Sequence, residues 1–99
     1  MKMIVDSLRH VVIKDQIQIK DLTRREFQIL WHLCQEPGRV YTREQIFNQV
    51  WGAQPNSNDR TVDVHIVQLR RKIDKSLIKS IKGVGYKIIL EKEEVELIK

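Results

Sequence analysis

Apolar residues at Val62, Ile66, Leu69 and Ile73 recur at the i, i+4, i+7, i+11 spacing of a helix that buries one face. The opposite face of the same helix carries Arg60, Val64, Val67, Gln68 and Arg71. A purely solvated face has little use for valines among arginines, whereas a helix lying in a DNA major groove does. There arginine meets phosphate or guanine, glutamine pairs with adenine, and a small apolar side chain touches the thymine methyl.

Two further helices are announced upstream by their caps. Thr23 with Glu26, and Thr42 with Gln45, have the spacing of capping boxes, and Leu22 with Phe27 and Tyr41 with Ile46 have that of hydrophobic staples. The first helix, over about 24–36, presents Phe27, Leu30, Trp31, Leu33 and Cys34 to a core and is closed by Glu36-Pro37-Gly38. The second, over 43–51, continues that core with Phe47 and Val50 and has Gly52 at its C-terminal end. The third is predicted over 59–74, with Asn58 or Ser57 as cap and Asp59 placed to suit the helix dipole. Between the second and third lies a loop of turn residues, Gly52 to Asp59, longer than the three or four residues of a simple helix-turn-helix.

Strands flank the helices. Met3-Ile4-Val5, His10 to Lys14 and Gln16 to Lys20 are rich in β-branched residues, with a turn at Lys14-Asp15-Gln16, so a small antiparallel sheet is expected within 3–22. After the third helix, Gly83 and Gly85 bracket one residue between two alternating, lysine-bearing arms, which predicts a β-hairpin over 79–90. Helix, helix, long loop, helix and basic hairpin is the order of a winged helix.

Charge sharpens this reading. The 99 residues carry a net +5, but residues 60–87 alone hold eight basic side chains against Asp63 and Asp74, a net of +6, while Glu91 to Lys99 is net −2. One surface therefore suits a polyanion. The length is that of one domain, no apolar run approaches the roughly 20 residues that span a bilayer, and no signal-peptide pattern opens the chain. A single cysteine, Cys34, excludes an internal disulfide framework and fits a reducing cytosol, so a cytoplasmic location without membrane association is expected.

Catalysis and metal binding find no support in the pattern. There is no nucleophile motif or phosphate-loop glycine pattern, and His10, His32 and Cys34 lack ligand spacing, so neither an enzyme nor a cofactor or metal site is expected. Individual residues also have plainer roles. Trp51 reads as core packing with its indole N–H available to a phosphate, and His65 as either a hydrogen-bonded structural histidine or a DNA contact. Asp63 reads as an intradomain partner for a nearby basic residue, because a carboxylate facing phosphates would repel them. Arg70 and Arg71 read as groove-facing or as a solvated pair, and Cys34 as a small core residue.

The strings Leu22-Thr23-x-x-Glu26-Phe27-x-x-Leu30, Pro37-Gly38-x-Val40-x-Thr42-Arg43-Glu44-Gln45, Val50-Trp51-Gly52, Arg60-Thr61-Val62-Asp63-Val64-His65-Ile66-x-x-Leu69-Arg70-x-Lys72 and Gly83-x-Gly85-Tyr86 occur in series over about residues 3–90. In this the chain resembles the DNA-binding effector domain of the OmpR/PhoB family of bacterial two-component response regulators. The resemblance implies an α+β winged helix-turn-helix: an N-terminal four-stranded antiparallel sheet, three helices and a C-terminal hairpin wing over 1–90, followed by an acidic, frayed tail over 91–99. It implies base readout in the major groove at Val64 and Gln68, joined by Val67 from its place on the same face. Backbone contacts are implied at Arg43, Trp51, Arg60, His65 and Arg70, with Arg71 beside them, and minor-groove approach at Ser80 and Lys82, with Lys87 on the second arm. It also implies head-to-tail dimers on tandem direct repeats of double-stranded DNA. The loop Ala53, Gln54, Pro55, Asn56, Ser57, Asn58 would face RNA polymerase, and a sensor kinase would act only through a receiver domain absent from these 99 residues.

Departures from the family pattern carry information. Val67 and Gln68 stand where relatives are often basic, which favours an A/T-containing half-site. Lys82 and Lys87 replace arginines, so the wing meets phosphate as point charges without a planar fork. The segment Asp74 to Lys79 is shorter than in many relatives, which draws the wing inward. A winged helix used as a protein-interaction module is the alternative; it calls for an exposed apolar patch on the third helix without excess positive charge there. RNA binding fits less well, since the hairpin lacks paired aromatics for stacking.

Overall fold

In the computed structural model, which describes residues 1–56 and 59–99, the strands β1 (Met3–Asp6), β2 (Val11–Lys14) and β3 (Ile17–Ile19) precede helix α1 (Arg24–Leu33). Strand β4 (Tyr41–Thr42) runs directly into α2 (Arg43–Trp51), and α3 (Thr61–Ile73) is followed by β5 (Ile78–Ile81) and β6 (Gly85–Ile88). A 3-10 turn at Lys92–Glu94 leads into a last strand, β7 (Val95–Ile98). The β2–β3 hairpin turns on Asp15 and Gln16, both at positive φ, the backbone that a two-residue primed turn requires.

Both expected capping boxes form. Thr23 accepts from the Glu26 amide at 3.2 Å while Glu26 accepts from the Thr23 amide at 2.8 Å, and Thr42 and Gln45 do the same at 3.1 and 2.9 Å. α1 stops at Leu33, three residues before its expected end, because Pro37 disfavours helical backbone at the residue before it and the chain unwinds into turns from Cys34. α3 starts at Thr61 rather than 59 and ends at Ile73. The proposed caps Ser57 and Asn58 lie outside the described residues, and it is the Asp59 carboxylate that accepts from the Thr61 amide at 2.8 Å.

The core is formed by the three helices with the first sheet and with Tyr41, Ile78, Tyr86 and Ile88 of the second sheet. Val62, Ile66, Leu69 and Ile73 are all buried, as their spacing predicts, and meet Phe27, Leu30, Leu33 and Ile46. Ile29, outside the predicted stripe, is fully buried as well. Cys34 is in the core, and burial pushes its thiol up to about 12, so it stays protonated and inert.

The first sheet corrects two expectations. It has four strands in the order β3-β2-β1-β7, but the fourth comes from the C-terminal segment and lies parallel to β1, so the sheet is neither wholly N-terminal nor wholly antiparallel. The acidic segment 91–99 is accordingly a docked strand and not a frayed tail. Val95 and Leu97 pack against the core on alternate positions, and Ser7 donates from both its amide (2.8 Å) and its hydroxyl (3.0 Å) to the Ile98 carbonyl. The acidic residues meet cations at the N-terminus: Met1 N to Glu94 at 3.3 Å and Lys2 to Glu96 at 3.8 Å.

The wing is a three-stranded sheet, order β4-β6-β5, in which the strand entering α2 pairs with the second arm of the hairpin, making that arm the central strand. That pairing is close. A Cβ built on Gly85 would lie 1.9 Å from the Tyr41 carbonyl oxygen, a backbone atom that cannot swing away. Gly85→Ala is therefore expected to destabilise the domain by about 3 kcal/mol or more, as overpacking against backbone does, read from urea unfolding; an unchanged midpoint would show that β4 and β6 separate freely.

Candidate nucleic-acid interface

The outward face of α3 is a continuous stripe. Val64 and Val67 are 57% and 44% exposed, and Gln68, Arg71 and the Arg60 side chain are exposed beside them. The helix can present this face because it is held from behind at both ends. Near its C-terminus, Lys72 Nζ donates to the Asp21 carbonyl at 2.6 Å and to Glu26 Oε1 at 2.8 Å. Glu26, only 3% exposed, thus serves the α1 cap and this ion pair together. Burial pushes its carboxyl up, but Lys72 and Thr23 outweigh that and hold it below its ordinary value.

Near the N-terminus of α3 the holding group is Asp63, the intradomain partner expected from the sequence. It accepts from Arg43 Nε of α2 at 2.7 Å, from Arg60 at 3.3 Å, and from the Tyr86 hydroxyl of β6. Burial raises its pKa, yet Tyr86, Arg43 and Arg60 together keep it below the ordinary value. Tyr86 is shifted up by burial and by donating to a carboxylate.

Arg70 points away from the open stripe. Its Nε donates to the Ile78 carbonyl at 3.0 Å, its Nη2 to the Ser80 hydroxyl at 2.8 Å, and its guanidinium lies over the Tyr86 ring at 5.6 Å. His65 donates from Nδ1 to the Thr61 carbonyl at 2.8 Å and stands edge-on to Trp51 at 5.2 Å. Trp51 is half-buried, stacked on Phe47 at 4.9 Å with Arg25 over its ring at 5.2 Å. Of the expected backbone-contacting residues, Arg60 and Arg71 are thus on the open face, while Arg43, His65 and Arg70 are engaged within the fold.

On the wing, Lys82 and Val84 flank Gly83 at the exposed tip, where Gly83 takes a φ of 75° to close the turn. Ser80 faces Arg70. Lys87 stands directly opposite Lys79 in the β5–β6 register. Only the strand register reveals that Lys79 and Lys87 sit side by side, a locally unfavourable like-charge pair that suits a polyanion. In the α2–α3 loop, Ala53, Gln54 and Asn56 are exposed and Pro55 half-buried; Ser57 and Asn58 lie outside the described residues.

The sequence matches the family described as transcriptional regulatory protein, C terminal, over residues 4–88. The chain belongs to this family. It is 41% identical over 93 residues to the transcriptional regulatory protein HprR of Escherichia coli (strain K12), covering 90% of this chain and 41% of that protein. Across YclJ of Bacillus subtilis and HprR, the chain spans 32–41% of the length of the curated relatives it matches. The fold matches the DNA-binding domain of Bacillus subtilis CssR with a TM-score of 0.77 at 32% identity, covering 89% of this chain and all of that one. It also matches the Klebsiella pneumoniae RstA DNA-binding domain solved with the RstA box, at 0.79 and 26% identity over 86% of this chain and 88% of that one. The α+β winged-helix architecture and the OmpR/PhoB-type membership expected from the motifs both stand. Among the described residues no helix is long and apolar enough to cross a membrane.

Asp63 gives this domain a pH signature. Its folded-state pKa lies below the ordinary 3.8, so its stabilising contribution is complete above that value and is lost as the pH falls through the folded pKa. Wild type should therefore be more stable than Asp63→Asn near neutral pH, with the difference in melting temperature shrinking below 3.8. A difference that persists undiminished in acid would mean that the carboxylate charge is not what holds Arg43 and Tyr86.

Proposed function

We propose that this chain binds double-stranded DNA sequence-specifically as the effector domain of a transcriptional response regulator. α3 lies in the major groove and the wing meets the adjacent minor groove. The observation that carries this reading is the open stripe of α3, two exposed valines and a glutamine flanked by arginines, beside a hairpin with three lysines. Val64, Val67 and Gln68 face base edges, Arg60 and Arg71 neutralise phosphates, and Lys82, with Lys79 and Lys87, meets the backbone across the minor groove. Arg43 and Trp51 flank the open stripe, with 42% of the Arg43 side chain left to solvent for a phosphate.

On the same reading the domain occupies tandem direct repeats as a head-to-tail dimer, and the loop over 53–58 faces RNA polymerase. A sensor kinase reaches it through a receiver domain in the longer protein. What supports the last point is the 32–41% of their length that this chain spans in its curated relatives.

Selection of bound duplexes from a random pool tests the proposal, since it reports base sequence and repeat spacing together. Enrichment of no sequence, with binding to every duplex alike, would leave only a basic surface. On the selected site, Gln68→Ala should cost roughly 1–3 kcal/mol and relax preference at one base pair; equal weakening on all sequences removes Gln68 from base readout. Replacing thymine by uracil should weaken the wild type, and Val64→Ala less so, if the valines touch methyl groups. Lys82→Ala should reduce the slope of log affinity against log salt by about one, and an unaltered slope removes Lys82 from the phosphate contacts.

A further inference from the structure

Arg70 and Asp63 stand seven residues apart on α3, which puts them two turns apart on one side of the helix, about 10 Å along its axis. Both reach the wing. Arg70 holds β5 through the Ile78 carbonyl and the Ser80 hydroxyl, and Asp63 holds β6 through the Tyr86 hydroxyl. Ser80 and Tyr86 are themselves paired across the hairpin, so the contacts close into a ring: helix, Arg70, β5, β6, Tyr86, Asp63, helix. The Tyr86 ring is also covered by the guanidinium of Arg70 at 5.6 Å and of Arg43 at 5.7 Å. The base of the wing is also held by β4 and by Ile78 and Ile88 in the core, and a single polar contact would add only one distance between helix and wing. Two, separated along the helix, set an angle.

We propose that Asp63, Tyr86 and Arg70 form a strut that fixes the angle between α3 and the wing. They are positioning residues for engagement of two grooves at once, and Arg70 acts through the wing rather than on a phosphate. This rests on the DNA-binding reading above. Binding to neighbouring grooves of a rigid duplex needs both elements at one relative orientation, and a wing held in advance need not be ordered at the moment of binding. The arginine fork suits the task, because its planar donors address a carbonyl and a hydroxyl together.

Tyr86→Phe removes the hydroxyl and keeps the ring under both guanidiniums; Arg70→Met keeps an unbranched stem and removes the guanidinium donors. Affinity is measured for wild type and both variants on the selected duplex, and on the same duplex shortened to end before the segment beneath the wing. Each variant should lose about tenfold on the full duplex, as for one net hydrogen bond, and under about twofold on the short one. The salt slope of Arg70→Met on the short duplex should match wild type. Equal losses on both duplexes, or a slope reduced by about one in Arg70→Met, overturns the proposal. A measurement without DNA separates this from failure of the DNA-binding reading. Residual dipolar couplings of the wing amides should scale down relative to those of α3 in Tyr86→Phe, and couplings identical to wild type sink the strut whatever the protein binds.

Discussion

A carboxylate on α3, beside a strongly basic surface, needs partners, and the structure turns on how Asp63 is neutralised. It stands in the first turn of the helix, where the dipole favours negative charge. Its oxygens are taken up by donors from three elements: Arg43 of α2, Arg60 ahead of α3 and Tyr86 of the wing. The charge is thereby compensated, and a second helix and a hairpin are tied to α3 at one point. A neutral residue could pack there but would not draw two arginines and a phenol together.

The other end of α3 is held by an independent pair, half-buried Lys72 with buried Glu26, which shares its carboxylate with the cap of α1. A buried carboxylate with fewer partners would cost several kcal/mol, so the cap and the ion pair stand or fall together. Between these two anchors the stripe Val62, Ile66, Leu69 and Ile73 fills the core. The outward Val64, Val67 and Gln68 lie outside both anchors and outside the core.

The C-terminal strand follows a different logic. Glu91 to Lys99 has the charge density of a solvated tail, yet Val95 and Leu97 stand on either side of Glu96 at strand period. Laid parallel to β1, the segment covers an otherwise open sheet edge and buries its apolar side, while its glutamates find Met1 and Lys2. The alternation was present in the sequence but too short to outweigh composition, and no local signal says that the C-terminus returns to the N-terminal sheet.

By itself the sequence determined the three helices, the caps of the first two, the buried stripe of α3, the hairpin and the winged-helix order, because each depends on periodicity or on residues three or four apart. It also determined which face of α3 is open, since burying one stripe leaves the other outside. Tertiary structure decided what the arginines do. Arg60, Arg70 and Arg71 look equivalent along the chain, and only the wing, folded back against α3, gives Arg70 a carbonyl, a hydroxyl and an aromatic ring to hold. The pairing of Lys79 with Lys87, the β4 addition to the wing and the parallel β7 likewise depend on strand register between distant segments. Local pattern encodes which residues face out; long-range contact settles which of those are still free to meet a partner.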